Sequence, residues 1–435
     1  MAEIAAKIAA DQALFNRADF PILARTMRSG RKLIYLDSGA TAQKPRLVMD
    51  AVIRQELELN GAVARGSHEL AEASTLAYED ARANVAAFIG AKPSEIAWTK
   101  NSTEALNLVA YAIGNLSAGR IMPGTPDELI ERLSLRPGDN IVATRLEHHA
   151  NLVPWQELCA RTGAEFRWLE LTPDGRIDVA SAAGVVDEHT KILAFTHVSN
   201  VTGAVTPVAK LVAIAKAVGA LVVLDSCQSA PHLPLSVTEL GVDFAVLSGH
   251  KLYGPTGAGV LYGRGELLRA LPPFLTGGSM IETVRMEGST YMEPPARFEA
   301  GSQPVAQIVG LSAAVDYVCA VGMDRVAAYE KELTEYLLPR IQEIPGVTLL
   351  GPATCDERMG VVAFDVAGVH PHDVGQVLDS GGIAVRVGHH CAQPIHQHFG
   401  VWASSRVSLA PYNTRQEIDE FLDALSGVRK FFGLA

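Results

Sequence analysis

The stretch VLSGHKLYGPTGAG, residues 246–259, decides how the chain is read. An apolar run, FAVL at 244–247, stops at Ser248-Gly249-His250-Lys251, and a Gly- and Pro-rich loop follows. This is the pattern of a buried strand ending in a lysine flanked by a hydroxyl and an imidazole. A lysine amine becomes a nucleophile, able to form imines, when burial or neighbouring cations lower its pKa. A surface lysine after a strand is the plainer alternative, so Lys251 needs partners from elsewhere in the chain.

Outward from this stretch, strand and helix patterns alternate. EIAWT (95–99), NIVAT (140–144), EFRWLEL (165–171), KILAFTHVSN (191–200), ALVVLDS (220–226) and DFAVLSGHK (243–251) read as strands, with helical segments between them. Near-continuous apolar strands alternating with helices predict a mostly parallel sheet covered on both faces. Ligands gather at the carboxyl ends of such strands. The polar groups expected there are 147–149, 199–200, 225–228 and 248–251, converging on one cleft.

Before the sheet, an Ala-rich pattern within 1–25 predicts an amphipathic helix, IYLDSGATAQKP (34–45) a short strand and turn, and 47–60 and 69–89 two helices. The turn-rich piece between those helices carries Arg65 and His68. The polar segment 117–138 reads as a surface insertion. From about residue 274 the pattern turns irregular, and a long helix is expected from Val305. VTLLG (347–351), VVAFDV (361–366) and AVRVG (384–388), with helices near 372–379 and 414–432, suggest a smaller α/β domain. The expected division is an N-terminal segment 1–30, a large domain 31–300 and a small C-terminal domain 301–435.

Composition narrows the function class. The 435-residue chain is 48% hydrophobic and 20% charged, as in an ordinary globular protein. Its net charge of -11 argues against nucleic-acid binding, which needs phosphate-neutralising Lys and Arg. No apolar run reaches membrane-spanning length, and no secretory signal pattern opens the chain. The five cysteines (159, 227, 319, 355 and 391) are scattered without a C-x-x-C pair, which fits a reducing, cytoplasmic compartment.

Lys251 does acquire partners. Asp225 ends an apolar run, and a buried carboxylate there demands a cation or hydrogen-bond donors. A protonated pyridine nitrogen meets that demand, and Gln228, three residues on, can reach a ring hydroxyl. Asn101, Ser102 and Thr103 open a helix whose free N–H groups and hydroxyls suit a phosphate, although Ser or Thr there is usually only a cap. Ser248 and His250 stand beside the lysine. These pieces, with His148, ask for one ligand, pyridoxal 5′-phosphate.

A second cluster is RVGHHCAQP (386–394), where Cys391 follows two histidines and Arg386 favours its thiolate. The rival is zinc, since His389, His390, Cys391, His396 and His398 lie within ten residues. Adjacent histidines rarely point at one ion, and no second cysteine stands at ligand spacing.

These residues carry a family resemblance running from about Phe20 to the C-terminus. LDSGATAQKP, LEHHANLVPWQ, THVSNVTGAV, SGHKLYGPTGAGVLY, GGSMIETV, RFEAG, and RVGHHCAQP followed by RVSLAPYNT resemble the type II, SufS-like cysteine desulfurases of the class V, fold-type I aminotransferase superfamily. The short GHHCA loop is the specific element. The resemblance implies a large domain built on a seven-stranded, mostly parallel sheet, a smaller C-terminal α/β domain, and a homodimer with its active site at the subunit interface. Pyridoxal phosphate would be carried by Lys251, with His148 stacked on the ring, Asp225 on the pyridine nitrogen and Gln228 on the ring oxygen. Ser102 at the helix start, Thr103, Ser248 and His250 would hold phosphate, with Ser302 reaching over from the other subunit. Asn200 and Arg406 would grip the substrate carboxylate beside Arg386. The implied reaction takes L-cysteine to L-alanine and leaves a persulfide on Cys391 for a sulfur-acceptor protein or an iron–sulfur scaffold. No metal is implied.

Three positions depart from the family pattern: Ala64 where a histidine is expected, Ser302-Gln303-Pro304 after RFEAG, and Cys227 beside the pocket, read as packing. A selenocysteine lyase or kynureninase-like enzyme on the same scaffold is the nearest alternative, and a zinc-binding interaction protein a more distant one.

Overall fold

The computed structural model describes residues 12–64 and 66–434. In chain order the strands are β1 (Ile34–Tyr35), β2 (Ile96–Thr99), β3 (Asn140–Thr144), β4 (Glu165–Leu169), β5 (Thr190–Thr196), β6 (Leu221–Asp225), β7 (Phe244–Ser248) and β8 (Gly259–Gly263). They continue with β9 (Ile281–Arg285), β10 (Gly288–Tyr291), β11 (Val347–Leu350), β12 (Val361–Val366), β13 (Ile383–Ala384), β14 (Arg386–Gly388) and β15 (Ser404–Ser408).

Seven strands form the main sheet in the order β2-β8-β7-β6-β5-β3-β4, in which β8 alone runs antiparallel to its neighbours. Alternate residues feed opposite cores. Val222, Leu224, Ala245 and Leu247 pack on one face, and Leu221, Val223, Phe244 and Val246 on the other. Burial on both faces is why these strands read as continuous apolar runs. Between successive parallel strands the chain returns through helices, among them Val153–Thr162 and Val208–Ala217.

Two features between the lysine stretch and residue 300 were not legible in the sequence. β8 follows the lysine stretch and completes the sheet, and an exposed hairpin, β9 with β10, occupies part of the segment expected to be irregular. Gly259 opens β8 because nothing larger fits: a Cβ there would lie 2.4 Å from the backbone of Asn101. That close approach sets the start of the helix Ser102–Ser117 against the end of β7. The expected insertion contains a helix, Asp127–Leu133, anchored by the buried Leu133 and Leu135.

The second sheet, β11-β12-β15-β14, is wholly antiparallel. Its strand β15 went unrecognised as a strand because Ser404, Ser405, Arg406 and Ser408 are polar, yet all four are buried. β1 joins this end of the molecule by pairing with β13. The proposed N-terminal helix falls largely on residues 1–11, outside the described region. From residue 12 the chain instead forms short 3-10 turns, Arg17–Asp19 and Pro21–Ala24. These turns are held by Phe15 and Phe20 against Tyr253, Tyr317 and Tyr412. No single helix among the described residues is long and apolar enough to cross a membrane.

One buried ion cluster ties the edge of the main sheet to the chain that leaves it. Glu299, from the RFEAG motif, accepts bonds from Arg82 Nη1 at 2.7 Å, Arg82 Nη2 at 2.9 Å, Tyr78 at 2.8 Å and the Trp98 N–H at 2.8 Å. Removing one partner of such a pair strands an uncompensated charge. Glu299→Ala is therefore expected to destabilise the protein by about 3–5 kcal/mol, read as a lowered urea midpoint. A midpoint equal to the parent's would show that the cluster contributes nothing.

Candidate active site

Lys251 lies on a 3-10 turn, Gly249–Lys251, immediately after β7. It lines a cavity of about 170 Å³ together with Ser102, Thr103, His148, Asn200, Ser248, His250, Arg386 and Arg406. Residues up to 304 positions apart thus meet: Ser102 and Thr103 come from a helix start, Asn200, Ser248 and Lys251 from ends of the main sheet's strands, and Arg386 and Arg406 from the second sheet.

The helix start is pinned to the lysine strand by hydroxyls. The Ser102 N–H donates to Ser248 Oγ at 3.0 Å, and the two Oγ atoms lie 2.8 Å apart. The Cys227 thiol donates to Ser102 Oγ at 2.9 Å. Burial pushes that thiol up to about 12, so it stays a neutral donor rather than a nucleophile. Ser102 is buried and already bonded within the protein, whereas Thr103 is exposed to the cavity. The cap itself is Asn101, whose Oδ1 accepts the Glu104 N–H at 3.0 Å.

Asp225 ends β6, and its Oδ1 accepts the Cys227 N–H at 2.9 Å. Gln228 donates from Nε2 to Gly39 O at 2.8 Å, while its buried Oε1 has no partner among the described residues. His148 Nδ1 accepts the Ala150 N–H at 3.0 Å, which leaves its proton on Nε2. Burial, helped by the nearby Lys251 charge, pushes this imidazole down to about 4.

Two guanidiniums close the far side. Arg386 and Arg406 are direct cross-strand partners on β14 and β15. Arg406 is buried and donates to Asn200 O at 2.9 Å and to Asp37 Oδ1 at 3.1 Å. Burial pulls Arg406 down to about 10 and pushes the Asp37 carboxyl up, against the pull of both arginines. Two arginines facing one carboxylate leave an excess of positive charge suited to an anionic group. Asp37, in the LDSGAT motif, was not singled out in the sequence; its signal was an acid directly after a strand.

Cys391 is exposed and lines an adjoining cavity of about 320 Å³ that shares Thr103 and His148 with the lysine cavity. Arg386 Nη2 lies 3.9 Å from its Sγ. His390 and Cys391 both adopt left-handed backbone, with φ of 52° and 56°. Each such non-glycine residue costs about 1–3 kcal/mol, so the loop must be held by its surroundings. Asn200 Nδ2 donates to His390 O at 2.7 Å, and the His149 N–H to Cys391 O at 2.7 Å.

Three of the histidines near Cys391 turn their Nε2 atoms to oxygens of the protein. His390 Nε2 and His396 Nε2 each lie 2.9 Å from Ser404 Oγ, and His398 Nε2 lies 3.1 Å from Thr172 O. No group of three or more metal-ligating side chains is assembled among the described residues. Ser302 does not enter the lysine cavity of its own chain; it borders a separate cavity of about 570 Å³. Arg65 lies outside the described residues. His68 caps the helix Glu69–Phe88, its Nδ1 accepting the Ala71 N–H at 3.3 Å.

The family model for class-V aminotransferases matches residues 34–421. The chain belongs to that family. It is 54% identical over 417 residues to the probable cysteine desulfurase 2 of Mycobacterium leprae, covering 96% of each chain. Among solved structures it is similar to the apo cysteine desulfurase of Thermococcus onnurineus, with TM-score 0.87, 37% identity and coverage of 95% and 97%. It is also similar to the S-sulfonic acid form of the Escherichia coli cysteine desulfurase CsdA, with TM-score 0.82, 36% identity and coverage of 96% and 99%. The fold-type I architecture read from the sequence is thereby established.

Beneath the site, His197 follows β5 with its Nδ1 buried and without a partner among the described residues. Burial pushes it down to about 4. The unfolded chain takes up this proton below about pH 6.5 and the folded chain does not, so stability is full above 6.5 and is lost as pH falls towards 4. His197→Gln is expected to lose less thermal stability than the parent between pH 6.5 and 4. Equal losses would show that this imidazole does not set the acid limb.

Proposed function

We propose that this class-V enzyme is a pyridoxal-phosphate-dependent cysteine desulfurase that converts L-cysteine to L-alanine and takes the sulfur as a persulfide on Cys391. The observation that carries the reading is a pair of adjoining cavities, one holding a lysine and two arginines and the other a thiol at its mouth. A transaminase or hydrolase on this fold has no use for that thiol. The names of the relatives point the same way.

The residues present fit pyridoxal phosphate. The excess hydrogen-bonding capacity of Gln228, the strand-end carboxylate of Asp225, the neutral wall of His148 and the hydroxyl-rich helix start are the complement of a phosphorylated pyridine. Lys251 would carry it, Asp225, Gln228 and His148 would hold the ring, and Thr103, Ser248 and His250, backed by Ser102, would hold the phosphate. When bound, the group supplies an electron sink for bonds at the Cα of an amino acid.

The chain's own residues do the rest. Arg406 and Arg386, with Asn200, orient the substrate carboxylate in their positive field. Lys251 Nζ moves the Cα proton, since its amine is free to act as base only once substrate has taken its place. Neutral His148, its proton held on Nε2, presents a flat ring without adding charge. Cys391 Sγ forms a sulfur–sulfur bond as the substrate's carbon–sulfur bond breaks, and alanine departs.

We assign the protein to the SufS-like group, supplying sulfur to an acceptor protein or iron–sulfur scaffold in the cytoplasm. The short GHHCA loop and five unpaired cysteines support this reading. Residues 31–300 are taken as the cofactor-binding domain, 301–435 as the domain carrying Cys391, and 1–30 as an N-terminal segment. A homodimer is proposed on two grounds. Met49, Ile53 and Leu57 form an exposed apolar stripe on the helix Arg46–Glu58, and Ser302 could serve a phosphate only from a second subunit.

The test is production of alanine and sulfide from L-cysteine, with and without a thiol reductant. Cys391→Ala is expected to abolish sulfide release while keeping the visible absorption of the cofactor-loaded protein, and Lys251→Ala to lose that absorption. Full turnover by Cys391→Ala would remove the thiol from the mechanism, and an unchanged spectrum in Lys251→Ala would remove the lysine.

A further inference from the structure

His148 and His149 are neighbours in sequence and share the Cys391 cavity, but only His148 also lines the lysine cavity. His148 faces Lys251, whereas His149 grips the loop that carries Cys391. The grip is double. The backbone N–H of His149 donates to Cys391 O at 2.7 Å, and its Nε2 accepts the Gln393 N–H at 3.0 Å. The two bonds bracket Ala392, immediately C-terminal to the two consecutive left-handed residues His390 and Cys391. On the other side the loop is held by Asn200 Nδ2 and by the Ser404 hydroxyl against His390. A backbone left to itself would leave the left-handed region, so these bonds define where Cys391 Sγ sits. Of the bonds around Cys391, the one to His149 Nε2 requires an uncharged ring, because a backbone N–H can only donate.

We propose that His149 is the positioning residue that fixes Cys391 at the mouth of the lysine cavity, through the acceptor nitrogen of its neutral imidazole. The proposal rests on the reading of Cys391 as sulfur acceptor; the clamp itself rests on the geometry of the loop. It also makes the 3-10 turn His149–Asn151 a mechanical link, since the same turn orients His148 over the lysine cavity through the Ala150 N–H.

The clamp has a built-in pH response. The groups around His149 are His148 on its own turn, His389 and Cys391 from the loop, His396 from the helix Gln393–His398, and Glu157 and Arg161 from the helix Val153–Thr162. Burial and His389 push the His149 imidazole below its ordinary range. The ring is therefore neutral and the clamp closed at neutral pH. Acidification places a proton on Nε2, opposes it to the Gln393 N–H, and frees the loop.

The test uses the cofactor-loaded protein and two variants. His149→Phe keeps a ring but has no acceptor, and His149→Gln supplies an acceptor oxygen that does not titrate. The first readout is amide exchange of the 386–396 segment by mass spectrometry, corrected for intrinsic pH dependence. The second is the single-turnover rate of persulfide formation. His149→Phe is expected to raise loop exchange and slow persulfide formation by about tenfold each, the size of one net hydrogen bond, with its visible spectrum unchanged. His149→Gln should restore both to near the parent values. As the pH is lowered through and below the ordinary imidazole range, the parent loop should lose protection while the His149→Gln loop keeps it. Parent-like exchange in His149→Phe, or a parent loop whose protection is flat with pH, would overturn the proposal. If the parent made no alanine from L-cysteine, the function proposed above would fail, while the exchange experiment would still decide the clamp.

Discussion

A strand buried on both faces cannot carry charge along its length, because desolvating an unpaired ion costs more than packing can return. In this molecule that constraint sends polar chemistry to the ends of the strands. β3, β5, β6 and β7 run parallel, so their ends lie along one edge, and Glu147, Asn200, Asp225 and Lys251 arrive there from four separate stretches. The parallel register is what turns a scattered set of residues into a site.

The edge is also where the protein concentrates unfavourable local states. Glu147 is wholly buried, and burial pushes it up to about 8 although Thr144, Asn151 and the Thr196 N–H all bond to it. The three bonds favour the carboxylate and burial opposes it. His148, His197 and His250 are all held neutral down to about 4. His390 and Cys391 are held left-handed. Such strain persists only where surrounding structure over-determines it, and it clusters at functional sites. Here the surrounding structure is the second sheet, whose buried Ser404 and Arg406 reach back to the loop and to Asp37.

Much of this was legible in the sequence, for reasons that also explain what was not. Lys251 and Asp225 stood out because each breaks an apolar run, a signal contained within about ten residues. Cys391 stood out by its company of histidines and Arg386. β8 was hidden because five residues, GVLYG, follow a Gly- and Pro-rich loop and carry little pattern of their own. β15 was hidden because a serine-rich strand buried by tertiary contact looks like a surface segment. His149 was seen only as one of the strand-end polar residues 147–149; its partner Gln393 is 244 residues away, and nothing local announces a bond of that span. Asp37 was overlooked for the same reason, its partner Arg406 lying 369 residues on.

The two ends of the described chain are sewn together: the Phe15 N–H donates to Pro411 O, Arg17 pairs with Glu417 at 2.8 Å, and β1 adds to β13. Synthesis runs from the N-terminus, and domains fold as they emerge. A nascent chain can therefore complete the lysine-bearing sheet after residue 263, while residues 12–36 still wait for partners beyond residue 380. The loop that carries Cys391 belongs to that late part. A ribosome-bound intermediate would hold Lys251 at the end of a completed sheet before Arg386, Cys391 and Arg406 have been made, so the order of translation itself keeps the lysine and the thiol apart until the protein is nearly whole.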